Sequence, residues 1–239
     1  MSGHSKWETT KRQKAAVDAK RGAIFTKIGN MIAIAARGGT DPAMNPSLAM
    51  AVEKAKQANM PAANIQRAID RVADKNAAAL EQIVYEAYGP GGIGIIIETA
   101  TDNRNRTFPE VRTALTKNGG TLADQGSVAF QFDRKGVIRV KATGDDNLML
   151  VLDAGAEDAV EEDGEIVAYT DMKDLHSVRQ AIIDAGLAVT DAELSYIGKN
   201  QVEISDPDVA AKAMKLLDAI DDLDDVTNVH TNADITAEV

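Results

Sequence analysis

Hydrophobic positions recur at helical spacing through the first third of the chain and give way to strand-like runs after it. Ile24, Phe25, Ile28, Met31, Ile32 and Ala35 fall within one helical arc, Lys20, Lys27 and Arg37 lie outside it, and Gly38-Gly39 closes the segment. Asn45-Pro46 supplies an N-cap and a first-turn proline for a second helix. In it Leu48, Ala51, Val52 and Ala55 follow at i, i+3, i+4 and i+7, to about Ala58. Pro61 restarts the pattern with Ile65, Ala68, Ile69 and Val72, leaving Arg67 and Arg71 on a shared outer face. Three short helices with short connections predict a small bundle over residues 21–76.

Beyond Lys75-Asn76 the period changes. Residues 83–88 and 93–99 are rich in strand formers and flank Gly89-Pro90-Gly91-Gly92, which predicts strand, tight loop, strand. A helix is expected over 107–117, stopped by Asn118-Gly119-Gly120, and 128–132 reads as another strand. From Gly136 the order is strand 137–141, helix 145–154, strand 157–162, an Asp163-Gly164 turn, strand 165–170, helix 174–185 and a strand near 192–197. That order, βαββαβ, is the ferredoxin-like sandwich. A strand at 201–205, a helix opened by Pro207 and a strand near 226–231 remain; they are expected to return and complete the sheet begun after residue 77.

The expected fold is therefore α+β: an N-terminal three-helix domain plus two α+β domains, one ferredoxin-like and inserted in the other. The boundaries read as a basic tail at 1–20, the helical domain at 21–76, a discontinuous domain at 77–133 plus 205–239, and the ferredoxin-like domain at 134–204. Residues 1–20 have no apolar stripe, so an extended tail is the natural reading.

Charge adds what the pattern does not show. The 239-residue chain has formal net charge −11, yet residues 1–75 hold 13 Lys+Arg against 6 Asp+Glu, net +7, and residues 76–239 hold 13 against 31, net −18. A cationic head on an anionic body suggests an end that faces a polyanion. In that head Trp7 stands beside Lys6, Lys11, Arg12, Lys14, Lys20, Arg21 and Lys27, which combines a ring able to stack on a base with charges that seek phosphate. Arg104 and Arg106 lie just before a predicted helix start, where backbone N–H groups also favour phosphate; pairing with Asp102 is the competing reading.

Composition excludes several chemistries. There is no cysteine, so disulfides, thiolate zinc sites and thiol nucleophiles are ruled out, and a cytoplasmic setting is expected. No apolar run approaches the roughly 18–20 residues that span a bilayer, so no membrane partner is expected. His4, His176 and His230 are far apart and form no ligand pattern, and the aspartates at 218, 221, 222, 224 and 225 lack the spacing of a calcium loop and read as a solvated acidic edge. Gly89-Pro90-Gly91-Gly92 precedes a strand rather than a helix and reads as a plain turn. With no nucleophile elbow and no phosphate-binding Gly-Lys loop, neither an enzyme nor a cofactor is expected.

GHSKW at the start, then KAAVDAKRGAIFTKI, EKAKQANMPAANIQRAI, YEAYGPGGIGIIIE, TDNRNRT and GSVAFQFDRKGVI, in that order over roughly the first 140 residues, resemble the YebC family. That family includes the mitochondrial translational activator of cytochrome c oxidase. The resemblance implies a three-domain protein with a helical N-terminal domain, a basic tail and two α+β domains, one inserted in the other. It also implies a DNA-binding transcriptional regulator, with other members linked to translation, including relief of ribosomes stalled on proline runs. The chain departs from the family pattern at Glu8-Thr9-Thr10 and Gly29-Asn30-Met31, where more basic residues are common.

Together these readings give a nucleic-acid-binding regulator of gene expression whose partner is DNA, or ribosomal or transfer RNA within the ribosome. The acidic domains are expected to take protein partners. An assembly scaffold that binds no nucleic acid is the alternative from another class, and salt dependence separates the two.

Overall fold

The computed structural model describes Trp7, residues 21–73 and residues 79–237. Phe132–Ile197 forms one compact unit, and the described residues up to Gln131 and from Gly198 onward form the other, so the chain leaves a domain, builds a second and returns.

The larger unit begins with helix α1 (Arg21–Ala35), continued by a 3-10 turn at Ala36–Gly38, then α2 (Pro46–Gln57) and α3 (Ala62–Asp70). Their shared core is Ile28, Ile32, Ala36, Leu48, Ala51, Ala55, Met60, Ile65 and Ile69. Asn45 joins two helix ends: its Oδ1 accepts the Leu48 N–H at 3.1 Å, while Nδ2 donates to the carbonyls of Ala35 and Gly39 at 2.7 and 2.8 Å. It thus caps α2 and satisfies carbonyls that the end of α1 leaves open.

Strands β1 (Glu81–Tyr88) and β2 (Gly94–Thr101) form an antiparallel hairpin, followed by helix α4 (Arg104–Lys117) and the short strand β3 (Thr121–Ala123). After the inserted domain come β8 (Val202–Ile204), helix α7 (Pro207–Asp221), β9 (Val226–Thr231) and β10 (Ala233–Ile235). The main sheet has the order β3-β1-β2-β9, with β9 antiparallel to β2, so a strand from the far end of the chain completes the sheet opened by β1. Residues of β2 are buried along its whole length because both faces are covered. Ile95 and Ile97 meet Val111, Leu115, Leu216 and Ile220 of α4 and α7, whereas α1 packs on the opposite face, its Asn30 reaching the Ala100 carbonyl. That second contact explains why Asn30 and Ala33 are buried although they lie off the bundle-facing arc of α1.

The loop between β1 and β2 packs against α7. Gly91 sits at φ 80°, and a Cβ there would lie 3.2 Å from the Val209 side chain of α7. Of residues 128–132, expected as a strand, 128–131 are instead a turn and a 3-10 segment, and the strand begins only at Phe132. Glu86 is the physical reason: its carboxylate accepts the N–H groups of Gly126, Val128 and Ala129 at 2.5, 2.6 and 2.7 Å, which takes them out of any ladder. Burial works to raise the Glu86 pKa, but those three donors outweigh it and hold the carboxyl below its ordinary value.

The inserted domain contains β4 (Phe132–Val140), α5 (Asp145–Asp153), β5 (Asp158–Glu162), β6 (Glu165–Thr170), α6 (Leu175–Asp184) and β7 (Val189–Gly198). Its sheet order, β5-β6-β4-β7, with β4–β6 and β5–β6 antiparallel, is that of a ferredoxin-like sandwich. Asp163 and Gly164, at φ 52° and 80°, make the two-residue β5–β6 hairpin.

Candidate nucleic-acid interface

Backbone geometry at the end of β2 positions the first two candidate arginines. Asn103 leaves the strand and caps α4, its Oδ1 accepting the N–H groups of Asn105 and Arg106 at 3.1 and 3.3 Å. The helix therefore starts at Arg104, one turn earlier than the apolar spacing suggests, and Arg104 and Arg106 belong to its first turn.

Arg106 turns inward. Its Nη2 donates to both carboxylate oxygens of Asp225 at 2.8 and 2.9 Å, its Nε donates to the same group at 3.2 Å, and Nη2 also reaches Asp102 at 3.2 Å. The hydrogen bond to Asp225, followed by that charge's attraction, raises the Arg106 pKa further. Asp225 in turn accepts the hydroxyls of Thr107 at 2.6 Å and Thr101 at 3.2 Å, so one buried carboxylate gathers the end of β2, the start of α4 and the segment before β9. Arg71 extends the network, its Nη2 lying 3.4 Å from Asp102 and its Nη1 donating to the Asn30 side chain at 3.4 Å. The local pairing of Asp102 with arginine is thus present at Arg106.

Arg104 turns outward. Its side chain is 67 % exposed, and its ion pair is a loose 3.6 Å contact with Glu81. An exposed pair of this kind contributes at most about 1 kcal/mol, so a phosphate can replace Glu81 at little cost.

The acidic end of α7 holds two other candidates. Lys27 is 14 % exposed on its side chain, and its Nζ donates to the Asp221 carbonyl and lies 3.5 Å from the Asp221 carboxylate. Trp7 is 1 % exposed: it packs in the core shared by the main sheet, α4 and α7, and its indole N–H donates to Asp218 at 2.8 Å. A base can reach the Trp7 ring only if the ring leaves that pocket. Asp218, Asp221 and Asp225, read from sequence as part of a solvated edge, each fasten a residue distant in the chain. Sequence spacing carries no signal for contacts of that range. Arg21 opens α1, while Lys6, Lys11, Arg12, Lys14 and Lys20 lie outside the described residues, as does the side chain of Arg21.

Of the histidines, His176 is exposed on α6, and buried His230 places Nε2 3.1 Å from the Glu98 carboxylate. Among the described residues no acidic or histidine cluster could hold a metal ion, and no helix is long and apolar enough to cross a membrane.

Two family profiles match this chain: the TACO1/YebC N-terminal domain over residues 5–75, and the TACO1/YebC second and third domains over residues 80–233. The chain belongs to the TACO1/YebC family. A probable transcriptional regulatory protein of Frankia casuarinae is 49% identical over 246 residues, covering 100% of this chain and 98% of its own. Probable transcriptional regulatory proteins of Roseiflexus castenholzii and Chlorobaculum tepidum are each 49% identical, over 249 and 245 residues, covering 100% of this chain and 97% of their own. The crystal structure of a conserved hypothetical protein from Aquifex aeolicus superposes with a TM-score of 0.88 at 38% identity, covering 94% of this chain and 95% of that one. In this TACO1/YebC chain the two matches divide at the α3–β1 connection, so Trp7, Asn30 and Arg71 lie in one and Asp102, Arg106 and Asp225 in the other.

Proposed function

We propose that this protein is a nucleic-acid-binding regulator of gene expression, acting by binding rather than by catalysis. In this reading Lys6, Lys11, Arg12, Lys14, Lys20, Arg21 and Arg104 contact phosphates, whereas Lys27, Arg106 and Trp7 are held by Asp221, Asp225 and Asp218 and serve the fold. The regulator names of the relatives favour the same class.

The observation that carries the reading is the partition of charge. Residues 1–75 hold 13 Lys+Arg against 6 Asp+Glu, whereas Phe132–Ile197 holds 6 against 15, net −9. A domain so acidic repels a polyanion and suits basic protein partners; the opposite sign at the N-terminal end attracts one.

Duplex DNA is the first reading of that partner, consistent with relatives named as transcriptional regulators, and RNA within the ribosome is the second. One observation favours the second. Sequence reading in a duplex needs a helix whose polar side chains are available to base edges. On α3, Gln66 donates to Asp70 at 2.8 Å and Arg67 to Asn64 at 3.4 Å, so its polar face is engaged with itself. Co-sedimentation with ribosomes, in parallel with binding to a promoter-length duplex, separates the two. The Lys11→Glu, Arg12→Glu, Lys14→Glu triple variant is expected to lose binding to whichever target the wild type takes; binding unchanged by it contradicts the reading.

A further inference from the structure

Helix α4 is the most basic of the described helices, with Arg104, Arg106, Arg112 and Lys117 against Glu110 alone. One flank of it is built differently from the rest. Arg104, Phe108 and Arg112 stand at i, i+4 and i+8, so they share a face along about 12 Å of helix axis. Phe108 is 41 % exposed, an unusual place for a large apolar ring on a helix whose core face is already supplied by Thr107, Val111 and Leu115. Below it on β1 lies Tyr85, with ring centroids 6.1 Å apart and planes inclined at 50°, so the two rings form a tilted pair beside the arginines.

The two guanidinium groups are available. Among the described residues, Arg112 is exposed with no ion-pair partner, and Arg104 has the loose contact with Glu81. Arg106, on another side of the helix, is consumed by Asp225 and Asp102, and Glu110, two residues from Phe108, does not share its face. Tyr85 lies near enough to Arg104 for the charge to act on its phenol: burial raises the Tyr85 pKa, and Arg104 opposes that rise.

We infer that the Arg104–Phe108–Arg112 flank of α4, with Tyr85 at its base, is a binding platform for single-stranded nucleic acid. The arginines take phosphates at either end and Phe108 stacks on an unpaired base between them. The chemistry is that of strand-binding proteins, in which a cationic track is interleaved with aromatic rings. A paired duplex keeps its base faces stacked internally, so it can use the arginines but not the ring. The spacing suits three to four stacked nucleotides at roughly 3.4 Å each.

This inference rests on the nucleic-acid reading above, and one titration set distinguishes the failure of each. Full-length protein is titrated by fluorescence anisotropy into labelled 12-nucleotide single-stranded RNA, single-stranded DNA of the same sequence, and blunt duplex DNA. The wild type is expected to bind single strands. Phe108→Ala is expected to weaken single-strand binding by at least fivefold while leaving duplex binding within twofold. The Arg104→Ala, Arg112→Ala double variant is expected to weaken both. Phe108→Trp, which keeps a stacking ring, should retain single-strand affinity; Phe108→Leu, which keeps apolar bulk, should lose it, so a folding defect is told apart from a lost stack. If the wild type binds no nucleic acid, the proposed function fails and the platform with it. If the wild type binds but Phe108→Ala and Phe108→Leu match it on single strands, the platform is overturned and the broader reading stands. The RNA and DNA arms show which strand the platform prefers.

Discussion

Arg106 and Asp225, 119 residues apart in the chain, meet in a two-oxygen ion pair at 2.8 and 2.9 Å. The pair makes the discontinuous domain one object: the segment before β9 is fastened to the first turn of α4, and Thr101 and Thr107 share the same carboxylate. With 9 % of its side chain exposed, Asp225 has few alternative partners in water. Its removal leaves the guanidinium with Asp102 alone and takes from two hydroxyls the acceptor they share. Asp225→Ala is therefore expected to cost about 3 kcal/mol in urea unfolding, a clear fall in midpoint at unchanged slope. Asp225→Asn, which keeps an acceptor oxygen but not the charge, should lose less.

Trp7 is the sole tryptophan of the chain, so its fluorescence reports its own environment. In the folded protein its emission should be that of a buried indole, moving to longer wavelength on unfolding. Trp7→Ala removes a large buried side chain and should destabilise the larger unit by about 3 kcal/mol. Asp218→Ala removes the acceptor of the indole N–H and should cost about 1 kcal/mol, with a small spectral shift. An emission maximum already that of free tryptophan in the folded protein contradicts the buried placement.

Glu86 gives stability a particular pH dependence. Its folded pKa is depressed by the N–H groups of Gly126, Val128 and Ala129, so its contribution is complete above the ordinary glutamate value of about 4.3 and disappears as the pH falls through the lowered folded value. Glu86→Gln points an amide donor at backbone donors and should lose about 2 kcal/mol at pH 7. The gap between wild type and variant should narrow as the pH is lowered below 4; a gap of constant size from pH 7 to pH 3 contradicts the assignment.

In the ferredoxin-like domain, Gly136 allows β4 to pass closely beneath the start of α6. A Cβ there would lie 2.2 Å from the Thr170 hydroxyl and 2.9 Å from the Cβ of Leu175. Gly136→Ala is expected to destabilise that domain by about 2 kcal/mol through overpacking, seen as a lowered midpoint for its unfolding transition. Gly164→Ala, where no atom lies within 4 Å, tests backbone strain alone at φ 80° and should cost about 1 kcal/mol.

Elements with many residues at one period were legible in the sequence. The stripe of α1, the Asn45-Pro46 start of α2 and the βαββαβ order all follow from local pattern and turn chemistry. Two of the three-residue strands were not: β3 and β10 are too short to show alternation, and their pairing depends on partners elsewhere in the chain. The strand expected at 128–132 failed because apolar residues there are fixed by a carboxylate from β1 that no local pattern reveals. At the candidate site, Arg104 and Arg106 were visible, but their opposite fates were not, since Asp225 decides them. The place of Phe108 and Arg112 beside Arg104 was legible in principle. Starting the helix at Thr107 hid the i, i+4, i+8 series that the Asn103 cap would have shown.

The salt dependence of binding tests the central claim most directly. Affinity of the full-length protein for a single-stranded oligonucleotide is measured from 50 to 200 mM salt, with a duplex in parallel. Neutralisation of about five phosphates predicts a slope of log affinity on log salt near −3.5 for the single strand and −4.5 for the duplex, a loss of roughly 2 to 3 decades over that range. Measurable binding with a slope near zero, or no binding at the lowest salt, contradicts a polyanion-facing N-terminal end and leaves the protein a scaffold for other proteins.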